Sequence, residues 1–155
     1  MAEPYLICPK HWEVGTLSPN PVNGLVSHVQ SGGTPSTTNE DYWDGDVLWL
    51  TPKEIARGYQ GLYVSDTERK ISDSGLRNSG AKLQPAGTVM LTKRAPVGAV
   101  AVAAVPMRTT QGFLNSTCSP RLSPLYLAYW FMANGPYLDA VANGSTYPEL
   151  YKTDL

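Results

Sequence analysis

At 155 residues the chain has the length of one domain, enough to bury about two-thirds of the surface its unfolded form exposes without a disulfide or metal. Gly (14) and Pro (13) are abundant, which favours many turns and short elements. Met1 to Lys10 lacks the basic-then-apolar layout of a signal peptide, and the longest apolar run, Leu125 to Ala133, is about half of what a membrane span needs.

The net charge of −1 conceals a segregation along the chain. Residues 1–73 hold ten acids against five bases. From Ser74 to Leu138 there is no Asp or Glu, yet Arg77, Lys82, Lys93, Arg94, Arg108 and Arg121 are present. Positive side chains without competing carboxylates suit a polyanion such as nucleic acid; six charges over that length also fit ordinary solvated faces. Cys8 and Cys118 show no metal-ligand spacing, so free thiols in a reducing cytoplasm are the expectation.

Residues 1–30 are expected to form an N-terminal lead-in segment, with Pro19, Pro21 and Gly24 breaking any regular pattern. A single domain is expected over 31–155. It opens on Ser31-Gly32-Gly33-Thr34-Pro35-Ser36, a turn in which glycine freedom and the fixed φ of Pro35 set the path. An acidic loop, Glu40 to Asp46, precedes a short strand at Val47-Leu48-Trp49-Leu50. Thr51-Pro52-Lys53-Glu54 then starts a short helix, with Thr51 as N-cap, Pro52 at N1 and Glu54 completing a capping box. Tyr59 to Val64 is a further strand candidate. Ser72 caps a second small helix ending near Asn78.

The clearest β signal follows. Gly87 to Lys93 and Ala99 to Val105 are two β-rich runs separated by a Pro- and Gly-containing turn, and Thr109 to Leu114 is expected to add a third strand. Ser123 and Pro124 start a helix over Leu125 to Ala133 that is apolar almost all round and hence expected to be buried. Pro136 restarts a shorter helix to Ala142. Short twisted strands, a few small helices and a helical C-terminal end make an α+β domain.

Catalytic patterns are sparse. No Gly-x-Gly dinucleotide fingerprint, P-loop Gly-Lys pair or Gly-x-Ser-x-Gly elbow occurs, and the two histidines, His11 and His28, lack zinc spacing. One nuclease-like pattern exists: Asp46 followed by Glu68-Arg69-Lys70, in which carboxylates would hold Mg²⁺ and lysine would steady a hydroxide. That site needs Glu68 and Lys70 side by side on a strand, whereas Ser65 to Lys70 reads as a polar turn.

More suggestive is how polar groups fall beside glycines and aromatics. Trp49 precedes Thr51 and Lys53; Lys93 and Arg94 stand where the hairpin opens; Gln111-Gly112 follows Arg108; Gly144-Ser145-Thr146 follows the last helix. Such glycines let a backbone approach phosphates while short side chains donate hydrogen bonds. Arg and Lys suit guanine edges and Gln suits adenine. For Ser145 and Thr146 taken alone, helix and turn chemistry explains them as well.

The order of these motifs resembles the target-recognition domain of the DNA-specificity (S) subunit of type I restriction-modification systems. The resemblance is carried by His11-Trp12-Glu13, Gly32 to Ser36, Tyr42-Trp43 with Gly45-Asp46, and Trp49 to Lys53. It continues through Ile71-Ser72, Gly75-Leu76, Ala81-Lys82-Leu83, Gly87 to Thr92, Arg94-Ala95, Pro106-Met107, Gln111-Gly112-Phe113 and Gly144-Ser145-Thr146. Lys93 stands where the family has a small polar residue, Thr110 where it has Asn, and Tyr147 where Phe is common. The sequence ends at Leu155, before the family's spacer helix and second recognition domain, both of which are therefore expected to be absent.

The resemblance implies a non-catalytic module that reads one half of a split double-stranded DNA target. It would position methyltransferase (modification) subunits and, when recruited, the restriction subunit. S-adenosylmethionine and ATP are then expected only on those partners, with no cofactor or metal on this chain. The expected DNA contacts are Thr34, Ser36, Trp49, Lys53, Lys93, Arg94, Arg108 and Gln111, centred on Lys93 and Arg94, with Ser145 and Thr146 beside them. Two rivals stand: a protein-interaction module docking a methyltransferase through exposed Trp43, Trp49 and Tyr59, and the Mg²⁺ nuclease.

Overall fold

Prolines and Gly24 do not keep residues 26–30 irregular: Val26–Gln30 form the first strand, β1. Partnership decides this rather than local propensity, because β1 lies antiparallel on a later strand and buries Val26. The structure is a computed structural model that describes residues 11–56, 61–94, 96–142 and 149–155.

The acidic stretch expected to loop is instead a 3-10 turn (Glu40–Tyr42) leading straight into an eight-residue strand, β2 (Trp43–Leu50). Asp44 has φ 56°, a left-handed conformation that Asp tolerates better than most residues. The strand bulges there, so Trp43 and Val47 both face Ile71. The carboxylates of Asp44 and Asp46 are exposed, which is why their polarity does not forbid a strand.

Helix α1 (Pro52–Ala56) begins where the sequence places it, but half of the capping box is missing. Glu54 Oε2 accepts both the Thr51 N–H and the Thr51 hydroxyl at 2.7 Å. The hydroxyl therefore serves the carboxylate, and the Glu54 N–H bonds the Thr51 carbonyl at 3.2 Å instead. The other Glu54 oxygen holds the Glu68 N–H at 2.7 Å. After β3 (Tyr63–Val64) and β4 (Lys70–Ile71), α2 (Asp73–Arg77) is capped as expected, the Ser72 hydroxyl accepting the Gly75 N–H at 3.0 Å.

The predicted hairpin forms from β5 (Val89–Thr92) and β6 (Val100–Ala103). The expected third strand divides into β7 (Arg108–Thr109) and β8 (Phe113–Cys118), which join different sheets. Between them the Gly112 N–H bonds the Thr110 hydroxyl at 3.0 Å, a local bond that competes with strand pairing. Two helices, α3 (Pro124–Ala133) and α4 (Gly135–Val141), end the regular structure; Ser123 stands before α3 but makes no side-chain cap bond.

Five strands form one sheet in the order β1-β8-β5-β6-β3, antiparallel except for β3 on β6. Three form a small sheet, β4-β2-β7, with β7 parallel to β2. Every residue of β5 and β6 is buried, because the large sheet is covered on both faces. Val89, Leu91, Val100, Val102 and Leu114 pack with Leu127, Phe131, Leu138 and Leu150. The alternate residues Met90, Ala101, Ala103 and Phe113 pack with Leu50, Ile55 and Met107. Trp49, Ile71 and Ala81 form a third cluster with Trp43 against it. The architecture is the expected α+β.

One expectation about α3 fails. Leu127, Ala128 and Phe131 are buried against the sheet, but Leu125, Tyr126, Tyr129 and Met132 are exposed. A helix lying on one sheet has only one covered side, and no described element covers the other. No helix among the described residues is long and apolar enough to cross a membrane.

Candidate nucleic-acid interface

The segment Gly32 to Ser36 is clipped in place along its length. The Gly33 N–H bonds the Thr109 carbonyl of β7 at 3.0 Å. Two tryptophans of β2 hold the other side: Trp49 Nε1 donates to the Gly33 carbonyl at 2.9 Å and Trp43 Nε1 to the Ser36 carbonyl at 3.1 Å. Beside this loop stands the turn 110–112. The Thr34 hydroxyl donates to Gln111 Oε1, the Thr110 N–H bonds the Leu50 carbonyl at 3.0 Å, and the Lys93 N–H bonds the Gly112 carbonyl at 3.0 Å.

Gly112 has a steric reason. A Cβ there would lie 2.7 Å from Pro52 Cγ, so glycine lets the turn rest on the start of α1. Loop, turn and helix start therefore make one surface that brings together Thr34, Ser36, Lys53 and Gln111, although the chain separates them widely. Ser36, Lys53 and Gln111 are exposed there, and Thr34 is half-buried.

Trp49 does not belong among the contacts. It is 3% exposed and works from beneath, as the donor that pins the loop. The same burial removes it from the protein-docking rival. Trp43 is half-buried and packed on Trp49, and Tyr59 lies outside the described residues, as do Ser145 and Thr146. Exposed apolar surface lies instead on α3, at Leu125, Tyr129 and Met132, with Tyr126 beside them packed edge-on by Trp12.

Lys93 and Arg94 are also placed differently from expectation. Glu149 Oε1 pairs with Lys93 Nζ at 2.9 Å and with an Arg94 guanidinium nitrogen at 3.1 Å. The Lys93 side chain is 13% exposed and that of Arg94 is 55% exposed, so Lys93 is occupied inside the protein and only Arg94 faces out. Glu149 was missed because the acid-free stretch ends before it. Its segment returns to the hairpin, where the Leu150 N–H bonds the Lys93 carbonyl at 2.8 Å and Leu150 is fully buried.

Hydrogen bonds from Lys93 first and Arg94 second hold the Glu149 carboxyl below its ordinary value of 4.5. A depressed folded pKa contributes stability that is fully present above 4.5 and is lost as pH falls through the folded value. Glu149→Gln should therefore unfold at lower urea concentration than the parent at neutral pH, and the gap should close in acid. A gap that persists unchanged below pH 4.5 would show that the ion pair is not its source.

Arg108 lies in β7 opposite Trp49 and is half-buried. Its Nε is enclosed without a protein hydrogen-bond partner. Burial pushes its pKa down, opposed by the nearby charge of Asp73. The nuclease pattern does not assemble. Lys70 Nζ pairs with Asp66 at 2.9 Å, Glu68 is tied through its N–H to Glu54, and no three His, Cys, Asp or Glu gather as metal ligands among the described residues. Cys118 is a half-buried free thiol that burial pushes up to about 11.

Sequence reasoning also passed over Arg69, treating it as part of a solvated turn. Its guanidinium carbon lies 3.9 Å from the Trp43 ring centroid. With Thr51, Pro52, Lys53 and Pro96 it lines a groove running alongside the helix start.

Residues 9–155 match the type I restriction modification DNA specificity domain. The chain belongs to that family. It is 38% identical over 149 residues to the type I restriction enzyme MjaIX specificity subunit of Methanocaldococcus jannaschii, which covers 95% of this chain and 33% of that subunit. Two solved structures share the fold. One, from work on complex assembly and conformational transition of the type I R-M system, has TM-score 0.62 at 20% identity, covering 82% of this chain and 29% of the other. The HsdS subunit from Thermoanaerobacter tengcongensis has TM-score 0.58 at 16% identity, covering 79% and 29%. This specificity-domain chain thus spans about a third of the length of the relative from M. jannaschii.

Proposed function

We propose that this specificity domain is a non-catalytic reader of one half of a bipartite double-stranded DNA target, acting in a type I restriction-modification complex. The methyltransferase subunits it positions, and the restriction subunit when present, would carry S-adenosylmethionine and ATP in the cytoplasm. The observation that carries this reading is the surface built by loop 32–36, turn 110–112 and the start of α1. It presents a hydroxyl, an amide and a lysine from three separate parts of the chain on rigid, hydrogen-bonded backbone. Fixed donors of mixed type suit base-edge readout; hydroxyls and amides also bond phosphates, so sequence enrichment is what separates the two.

The test is retention of randomised duplex DNA by this chain at two salt concentrations, followed by sequencing. Enrichment of one short half-site is the expected result. Salt-sensitive retention without enrichment would reduce the function to backbone binding, and no retention would favour a protein-docking role.

Gln111 makes the sharpest single-residue case within that reading. Its Oε1 accepts the Thr34 hydroxyl, which orients the amide and leaves its N–H donors free. Gln111→Ala should weaken binding to the selected half-site by about 1–3 kcal/mol while leaving affinity for unrelated DNA unchanged. Equal losses on both would mean that Gln111 touches backbone only.

A further inference from the structure

We propose that Arg69 is a specificity-determining residue, held over the Trp43 ring so that its donor fork can take the O6 and N7 acceptors of a guanine. This rests on the DNA-reading function proposed above and adds to it a residue and a base. The guanidinium carbon lies 3.9 Å from the Trp43 ring centroid and 5.5 Å from that of Trp49. The two indoles are themselves set edge to face, 5.1 Å apart at 74°, and each is tied by its ring N–H to the loop 33–36.

The backbone under Arg69 is equally fixed. The Thr67 hydroxyl donates to the Arg69 carbonyl at 2.7 Å and accepts the Trp49 N–H at 3.1 Å. Thr67 is 5% exposed, so one buried hydroxyl aligns the arginine with its aromatic platform. Stacking uses the face of the guanidinium and leaves the in-plane N–H donors available.

Arg69 is also among the described cations that no carboxylate pairs. Lys70, Lys93, Arg94 and Arg121 each pair with a carboxylate. Arg69 has no such ion pair among the described residues and is exposed. It lines its groove with Lys53, and the one carboxylate in that lining, Glu68, is a neighbour whose own N–H is anchored on Glu54. A guanidinium fork pairs bidentately with phosphate as well as with a base edge, but only the base edge makes the contact depend on sequence. A guanine edge offers two acceptors in one plane, and a guanidinium positioned by an aromatic ring suits it.

The experiment compares the parent chain with Arg69→Lys, which keeps the charge and removes the fork, in the randomised-duplex selection. The parent's half-site should contain a guanine whose preference falls by roughly 5- to 150-fold in Arg69→Lys, with the salt slope unchanged. In parallel, the parent should lose a similar factor when that guanine is replaced by 7-deazaguanine, which lacks the N7 acceptor. This second measurement needs no variant to fold. A half-site that Arg69→Lys selects as strongly as the parent overturns the assignment. So does an even loss over all sequences, or full affinity for 7-deazaguanine at every guanine of the half-site. A parent that enriches no sequence overturns the reading beneath it, and the assignment with it.

Discussion

Phe131→Ala is expected to cost this domain about 3–5 kcal/mol of unfolding free energy. Phe131 is fully buried and joins α3 to the large sheet through the cluster that contains Leu91, Val102 and Leu114. Both sheet faces are covered, so little can collapse into the space left behind. Tyr129, two residues earlier on the same helix, is 61% exposed, and its replacement by Ala should change stability by no more than about 0.5 kcal/mol. Urea unfolding of the two variants checks the orientation of α3. Similar costs at both positions would mean that the helix is covered on its outer side as well.

Gly32→Ala is expected to do comparable damage in a different place. A Cβ at Gly32 would overlap the carbonyl and hydroxyl of Thr109, and one at Gly33 the backbone of Gly80. Neither obstacle is the free end of a flexible side chain; Thr109 is fully buried and its hydroxyl accepts Asn115 Nδ2 at 2.8 Å. The loop must lift from β7, so the cost should reach the upper end of the overpacking range, about 3 kcal/mol, or exceed it. The hydrogen bonds that Trp49 and Trp43 make to Gly33 and Ser36 would be strained with it. A drop in urea midpoint should therefore come with an altered tryptophan emission and loss of half-site enrichment. A variant with parent stability and parent selection would show that the loop does not depend on close approach to β7.

Much of the fold was legible residue by residue. Pro52, Ser72 and Pro124 mark three helix starts, and the burial of β5 and β6 on both faces follows from two apolar runs around a turn. The misses share one cause. Residues 26–30 and 43–46 become strands because partners reach them, β8 in one case and β4 in the other, and no local propensity signals a distant partner. That Thr34, Ser36, Lys53 and Gln111 lie on turns and a helix start was legible from their glycine and proline surroundings. Trp49 was placed on the wrong side of the surface, because an aromatic at a strand end gives no sign of which face is covered.

By itself, then, the sequence determined the α+β class, the helix starts, the hairpin and, through the order of its motifs, the family. Each of these depends on short-range sterics and hydrogen bonding, or on patterns readable along the chain. Only the tertiary structure decided which cations are free. Lys93 and Arg94 lie in a stretch without acids, yet Glu149 returns from the far end of the chain to share one carboxylate between them and to occupy Lys93 inside the protein. Arg69 stands among acids in sequence, yet rests on an indole with no ion pair among the described residues. Electrostatic attraction falls with distance in space rather than with separation in sequence, so folding alone determines which charge is left to meet a ligand.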